Sequence, residues 1–227
     1  MSAPRTRIKI CGIMQADHAM AAALAGADAI GFVFWSGTPR MVSAERAAAI
    51  AATLPPFVSI VGLFVDPTPE HVHATLARVP LDVLQFHGDE TPELCRAFGR
   101  AYMKAIAVEP GATETALLEY AGRFGDAAAL LFDAPAVGGV PGGTGQTFDW
   151  SALARMRARF DRPIVLSGGL HAGNVAEAIA VVHPWAVDVS SGVEQVDAEG
   201  RPRKGVKDPA RVAAFIEEVR NADVRSA

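Results

Sequence analysis

The chain has 227 residues, half of them apolar and a fifth charged, with a formal net charge of −4. That is ample material for a core, and its Lys and Arg are scattered, which excludes the basic stripe of a nucleic-acid binder and the polybasic patch of a membrane-surface protein. No apolar run reaches the roughly 18 residues of a membrane span or forms a signal-peptide core, and the two cysteines, Cys11 and Cys95, make no C-x-x-C motif, so the expectation is a cytoplasmic protein acting on a small molecule.

Arg7–Cys11 (R-I-K-I-C) alternates and meets Gly12, after which residues 13–25 are alanine-rich and end at Gly26, a helix C-cap signal. Residues 28–35 predict a buried strand, 36–42 a loop, and 43–54 a helix with Ser43 as its N-cap and Glu45 in its first turn. Residues 57–65 predict the third strand, whose helix opens at Thr68-Pro69, a capping residue followed by the proline that suits the first helical position. Residues 81–86 followed by Thr91-Pro92 repeat that punctuation. The pattern continues as strand 102–108 with helix 112–122, strand 128–132 with helix 149–159, and strand 163–166 with helix 172–182. Ala186–Val189 and a helix over 208–220, opened by Asp208-Pro209, complete eight strand–helix units. Alternating β and α elements require a parallel sheet with helical crossovers, and eight units in this length predict a closed (β/α)8 TIM barrel, one α/β domain over 1–227. A doubly wound open sheet is disfavoured, because no G-x-G-x-x-G follows Ile10.

In such a barrel, residues just past the C-terminal ends of the strands share one face. Those positions are Cys11, Arg40, Asp66, His87, Asp133, Ser167-Gly168-Gly169 and 188–192. The small glycine-containing turns after strands seven and eight, with Gly168, Gly169, Ser191 and Gly192, suit a phosphate held by backbone N–H groups. Asp133 ends an apolar strand and is followed by a glycine-rich segment, 134–148, too long for an ordinary connection and therefore read as a lid. Gly143 and Gly145 in that segment are counted among the substrate-binding positions. A buried acid needs a partner or a use, which makes Asp133 a catalytic candidate. Cys11 after its strand fits either a small packing residue or a reactive thiol, and the residues alone leave both open. Cys95, inside a helix, reads as packing. Arg40 after the Pro39 turn suits a substrate carboxylate. His71 and His73 diverge on a helix, and His18, His171 and His183 lack ligand spacing, so no metal is expected; His87, at a strand end, is a polar pocket contact. The polar, Pro- and Gly-containing composition of 194–207 suggests a mobile segment.

At K-I-C-G-I (9–13) the sequence resembles the phosphoribosylanthranilate isomerase family of tryptophan biosynthesis. The likeness continues through A-D-A-I-G-F-V-F (27–34), S-G-T-P-R (36–40), V-G-L-F-V-D (61–66) and L-Q-F-H-G-D-E (84–90). It goes on through L-F-D (131–133), G-G-T-G-Q-T-F-D-W (142–150), L-S-G-G-L (166–170), V-D-V-S-S-G-V-E (187–194) and G-V-K-D (205–208). S-G-T-P-R varies slightly from the family's commoner S-x-R-x form and leaves Arg40 in place. The resemblance implies an Amadori rearrangement of N-(5-phosphoribosyl)anthranilate to its aminoketose, with no cofactor, Asp133 as general acid and Cys11 as general base. It places the phosphate on Gly168, Gly169, Ser191 and Gly192, a ribose hydroxyl on Asp188, and the anthranilate carboxylate on Arg40. Lys9 and Arg40 are the cations available to lower the Cys11 thiol, and the lid could raise Asp133 by desolvation. The expected state is a monomer or homodimer. Two rivals are the sister isomerase of histidine biosynthesis, whose pattern has an aspartate where Cys11 stands, and a non-catalytic barrel that binds a phosphorylated metabolite.

Overall fold

The computed structural model describes residues 5–135, 142–143, 145–157 and 159–225. Its strands are β1 (Arg7–Cys11), β2 (Ala29–Val33), β3 (Ser59–Phe64), β4 (Val83–Phe86), β5 (Ala101–Ala107), β6 (Ala129–Asp133), β7 (Ile164–Leu166) and β8 (Ala186–Val189). All pair in parallel in chain order, and β1 closes on β8. The crossovers are helices α1 (Ala16–Ala25), α2 (Ala44–Ala51), α3 (Pro69–Leu76), α4 (Pro92–Arg96), α5 (Glu114–Gly122), α6 (Trp150–Arg157) and α7 (Val175–Val182), with α8 (Pro209–Arg225) after the last strand. This is the TIM barrel that the strand–helix alternation predicts.

The helix starts follow the capping chemistry in the sequence. The side-chain oxygens of Ser43, Thr68, Thr91 and Thr113 accept from the backbone N–H groups of Arg46, His71, Leu94 and Ala116, each satisfying one donor that has no partner inside the helix. Asp208 does the same for Ala210 and Arg211 at the start of α8. Gly26, at φ 104°, ends α1 in the left-handed conformation a glycine adopts without strain.

Strand alternation then sorts the core into two regions. Ile8 and Ile10 of β1, Leu130 and Phe132 of β6, and Val187 and Val189 of β8 point outward into the large cluster between sheet and helices. Val61, Met103, Ala105, Ala129, Leu131, Val165 and Ala186 fill the barrel interior, and above them sits a smaller layer of Cys11, Val33 and Leu63. By the same parity Lys9, Gln85 and Asp188 are interior residues, and all are buried. The interior therefore becomes polar toward the C-terminal mouth.

The segment 194–207, polar as its composition is, has regular structure. It forms an antiparallel pair, β9 (Glu194–Val196) with β10 (Pro202–Lys207). Its two ends are anchored by charge: Glu194 and Lys207 are both fully buried and lie 3.2 Å apart, and Gly205 N–H donates to the same carboxylate. Composition describes the exposed tip of this hairpin, whereas long-range ion pairing fixes its base. Among the described residues, no helix is long and apolar enough to cross a membrane.

Candidate active site

Each strand of the barrel delivers its last inward-facing residue to the C-terminal mouth. One cavity there is lined by Cys11 from β1, Asp133 from β6, His87 after β4, Ser167 after β7, Asp188 from β8, and Arg40 from the loop after β2. Cys11 and Asp133, the two proton-transfer candidates, thus face the same space from strands three apart around the closed barrel. A wider cavity of about 830 Å³ adjoins it on the β3–β6 side, sharing Trp35, His87 and Asp133 and adding Asp66, which is exposed.

Asp133 is 3% exposed. Its Oδ1 accepts from the Ala134 N–H at 2.8 Å, and its Oδ2 lies 3.3 Å from His87 Nε2. His87 Nδ1 in turn lies 3.1 Å from Gln85 Nε2, so the imidazole is held between an amide and the acid. Gln85 was not foreseen as part of the site, although strand parity places it on the same face as His87. The backbone beyond His87 is fixed by a second buried pair. Glu90 bonds Lys104 Nζ at 2.8 Å and accepts from the N–H groups of Gly88 and Asp66, while Lys104 also donates to the Gly88 carbonyl.

Cys11 is nearly buried, and burial pushes its thiol above the ordinary value. Asp188 adds to that rise, while Lys9 and Lys207 oppose it. The expectation of a locally lowered thiol is therefore corrected: the cation is present, but desolvation outweighs it. Lys9 Nζ bonds Asp188 Oδ1 at 2.8 Å, directly across the β1–β8 register. Burial works against the Lys9 charge, yet Asp188 and the Cys11 sulfur hold it above the ordinary lysine value. Asp188 Oδ2 faces Ser167 Oγ at 3.5 Å.

Arg40 is brought to the mouth, but not as a free cation. Its Nε and Nη2 form a two-point pair with Glu194 at 2.7 and 2.9 Å, and Nη2 also donates to the Gly143 carbonyl at 3.2 Å. Burial raises the Glu194 carboxyl, but Arg40 and Lys207 more than offset it and hold the acid below its usual range. No local pattern marks Glu194 in the sequence as the partner of a residue 154 positions away.

The predicted phosphate turns come together on the β7–β8 side. Gly145, Gly169, Ser191 and Gly192 line a cavity of about 640 Å³ to which Lys204 of β10 and Arg211 of α8 contribute two cations absent from the sequence reading. Gly192 is there because its backbone passes so close to Leu170 that a Cβ would sit 2.0 Å from the carbonyl oxygen. Gly168 takes φ 87° beside Asp133 and Ala134, a conformation and a space that both exclude a side chain. Of the expected lid, residues 136–141 and 144 lie outside the described residues; Gly142 lies beside Asp133 and His87, and Gly143 beside Arg40. Cys95 is buried in α4, away from this mouth. Among the described residues, no group of three or more His, Cys, Asp or Glu is arranged to hold a metal ion.

A family model described as N-(5'phosphoribosyl)anthranilate (PRA) isomerase matches residues 8–218. The chain belongs to the phosphoribosylanthranilate isomerase family. An N-(5'-phosphoribosyl)anthranilate isomerase of Pseudomonas putida W619 is 52% identical over 217 residues, covering 95% of this chain and 98% of its own length. A solved phosphoribosylanthranilate isomerase in complex with reduced 1-(o-carboxyphenylamino)-1-deoxyribulose 5-phosphate superposes with a TM-score of 0.80 at 39% identity, covering 95% of this chain and 99% of that one. The structure of monomers generated from the dimeric enzyme of Thermotoga maritima gives a TM-score of 0.80 at 38% identity, with the same coverage. With membership comes the family's activity, an aldose–ketose isomerisation of N-(5'-phosphoribosyl)anthranilate in tryptophan biosynthesis.

Proposed function

We propose that the chain carries out this rearrangement by general acid–base catalysis, with Asp133 as the acid and Cys11 as the base. Asp133 gives a proton to the furanose ring oxygen as the C1′–O bond breaks, and the anthranilate nitrogen lone pair forms the C=N bond of a Schiff base. The Cys11 thiolate then takes the C2′ proton. The C–H electron pair becomes the C1′–C2′ double bond and the C=N pair returns to nitrogen, giving an enolamine. The C2′ hydroxyl proton then goes to the Asp133 carboxylate and the Cys11 thiol returns its proton to C1′, which completes the ketone and resets both groups. Hydrogen moves only within the substrate and these two groups, so the step needs no cofactor.

The observation that carries this reading is that Cys11 and Asp133 face one cavity at the C-terminal mouth. Positioned proton transfer of this kind contributes about 10²–10⁴-fold per group. The phosphate would lie against Gly168, Gly169, Ser191 and Gly192, with Lys204 and Arg211 adding long-range attraction and Gly143 and Gly145 covering it. A ribose hydroxyl would take Asp188 Oδ2, the oxygen that faces Ser167 rather than Lys9. Because Glu194 occupies one edge of Arg40, the anthranilate carboxylate would meet Nη1. His87 would hold the Asp133 oxygen in place. The test is loss of the substrate's anthranilate fluorescence with purified protein and with Cys11→Ala. The reading expects turnover in the first and a loss of at least about 100-fold in the second, and near-normal turnover in Cys11→Ala would remove the sulfur from the reaction.

A base that must remain a free thiol suits the reducing cytoplasm, and both cysteines here are free. We read the chain as one barrel domain that pairs as a homodimer through its N-terminal rim, away from the active mouth. Phe57, just before β3, is fully exposed there at φ 71°. Sedimentation velocity would show a dimer that Phe57→Lys converts to a monomer; a monomeric parent protein would contradict the assignment.

A further inference from the structure

A buried thiol cannot serve as a base unless something makes its anion attainable, because desolvation disfavours the charged form. The groups that face Cys11 supply a specific answer. Lys9, two residues earlier on β1, points into the same interior, and its ammonium and the Cys11 sulfur both lie 3.1 Å from the point where a Cβ on Gly31 would stand. Gly31 is the register partner of Cys11 on β2. The missing side chain therefore leaves the sulfur and the ammonium together in a space that a Cβ would crowd. Asp188, opposite Lys9 in the β1–β8 register, fixes the ammonium by a 2.8 Å bond, with both side chains about 5% exposed.

We infer that Lys9 is a positioning residue for the reaction: its ammonium, oriented by Asp188 and given room by Gly31, stabilises the Cys11 thiolate. This rests on the reading of Cys11 as the base. The other charges near the sulfur do not replace Lys9. Lys207 of β10 donates to the carbonyl and hydroxyl oxygens of Ser190 and to Glu194, Arg40 is paired with Glu194, and Asp188 opposes the anion directly. His87 and Asp133 lie across the cavity. Consistent with the geometry, Lys9 is the largest of the influences that pull the Cys11 thiol down against burial.

The test is a titration of the Cys11 thiolate by its far-ultraviolet absorbance in a Cys95→Ala background. Cys95 contributes little even in the parent, since burial and Glu90 push its thiol up to about 12. Lys9→Met is expected to move the Cys11 midpoint up by about 1 pH unit or more, the size of effect an opposite charge at this range produces, and to move the ascending limb of kcat/KM up in pH with it. Gly31→Ala keeps both charges and crowds them with a methyl 3.1 Å from each, so that one or both must shift, and should raise the midpoint by a smaller amount. A midpoint unchanged in Lys9→Met overturns the inference; where that protein does not fold, an unchanged midpoint in Gly31→Ala does so. Full turnover in Cys11→Ala would instead sink the acid–base reading while leaving the measured Lys9–Cys11 coupling intact, so the two failures are distinguishable.

Discussion

Removing the Glu194 carboxylate is the sharpest structural perturbation this barrel offers. Glu194 is fully buried and accepts from Arg40 Nε and Nη2, the Gly205 N–H and Lys207 Nζ, at 2.7 to 3.2 Å. Glu194→Ala leaves two cations whose side chains are 7% and 1% exposed without their shared anion. Breaking one buried pair this way costs about 3–5 kcal/mol, chiefly because the surviving charge stays desolvated. For a chain of this size each kcal/mol shifts the melting temperature by about 2–4 °C, so calorimetry should show a drop of roughly 6–20 °C. The pH dependence has a definite sign. The Glu194 carboxyl is raised by burial but held net below its usual range by Arg40 and Lys207. Its contribution is thus complete above the unfolded carboxylate value of about 4.3 and is lost as pH falls through the lower folded value, so the variant's deficit should shrink toward acid. A double variant, Arg40→Met with Glu194→Ala, should recover part of the loss, because the two residues are in contact and their effects do not add. A melting temperature within about 2 °C of the parent would refute the argument that this network holds the hairpin base.

Arg40→Ala, if its guanidinium meets the substrate carboxylate, should raise KM strongly and lower kcat less, measured by steady-state fluorescence; the reverse split would make Arg40 part of the chemical step. Since the base acts only when deprotonated and burial raises its thiol, kcat/KM should still be climbing with pH at the ordinary thiol value near 8.5. A plateau below neutrality would contradict that. Lys104→Met strands Glu90 in the fully buried pair beside Gly88 and should cost about 3–5 kcal/mol in urea unfolding, along with lower kcat through displacement of His87. Parent-like stability and kcat would show that the pair does not position the loop.

Much of this was legible in the sequence because the signals were local. Thr68-Pro69 and Thr91-Pro92 state a cap and a first helical residue within two letters, and both helices begin there. The alternating run ending at Cys11 and the apolar run ending at Asp133 mark strand ends, and closing the barrel carries strand ends to one rim. What stayed hidden depends on partners remote in the chain. Glu194 and Lys207 look like surface charges in a polar stretch, and only the folded protein shows that Arg40 and each other are what bury them. Lys9 was readable as a nearby cation, yet its tie to Asp188 comes from barrel closure, which sets β1 beside β8. The net rise of the Cys11 thiol was missed for a related reason: a neighbouring charge can be guessed from sequence, whereas the desolvation that outweighs it is set by the packing of Val33 and Leu63 around the sulfur.

The most direct test of the two-group account is a crystal structure with reduced 1-(o-carboxyphenylamino)-1-deoxyribulose 5-phosphate. The account predicts the Cys11 sulfur within about 3.5 Å of C2′ on one side of the sugar and an Asp133 carboxyl oxygen at similar range from the former ring oxygen on the other, with the phosphate against Gly169, Ser191 and Gly192. A sugar bound with Cys11 or Asp133 out of contact with those atoms, or with both groups on one side of it, would contradict it.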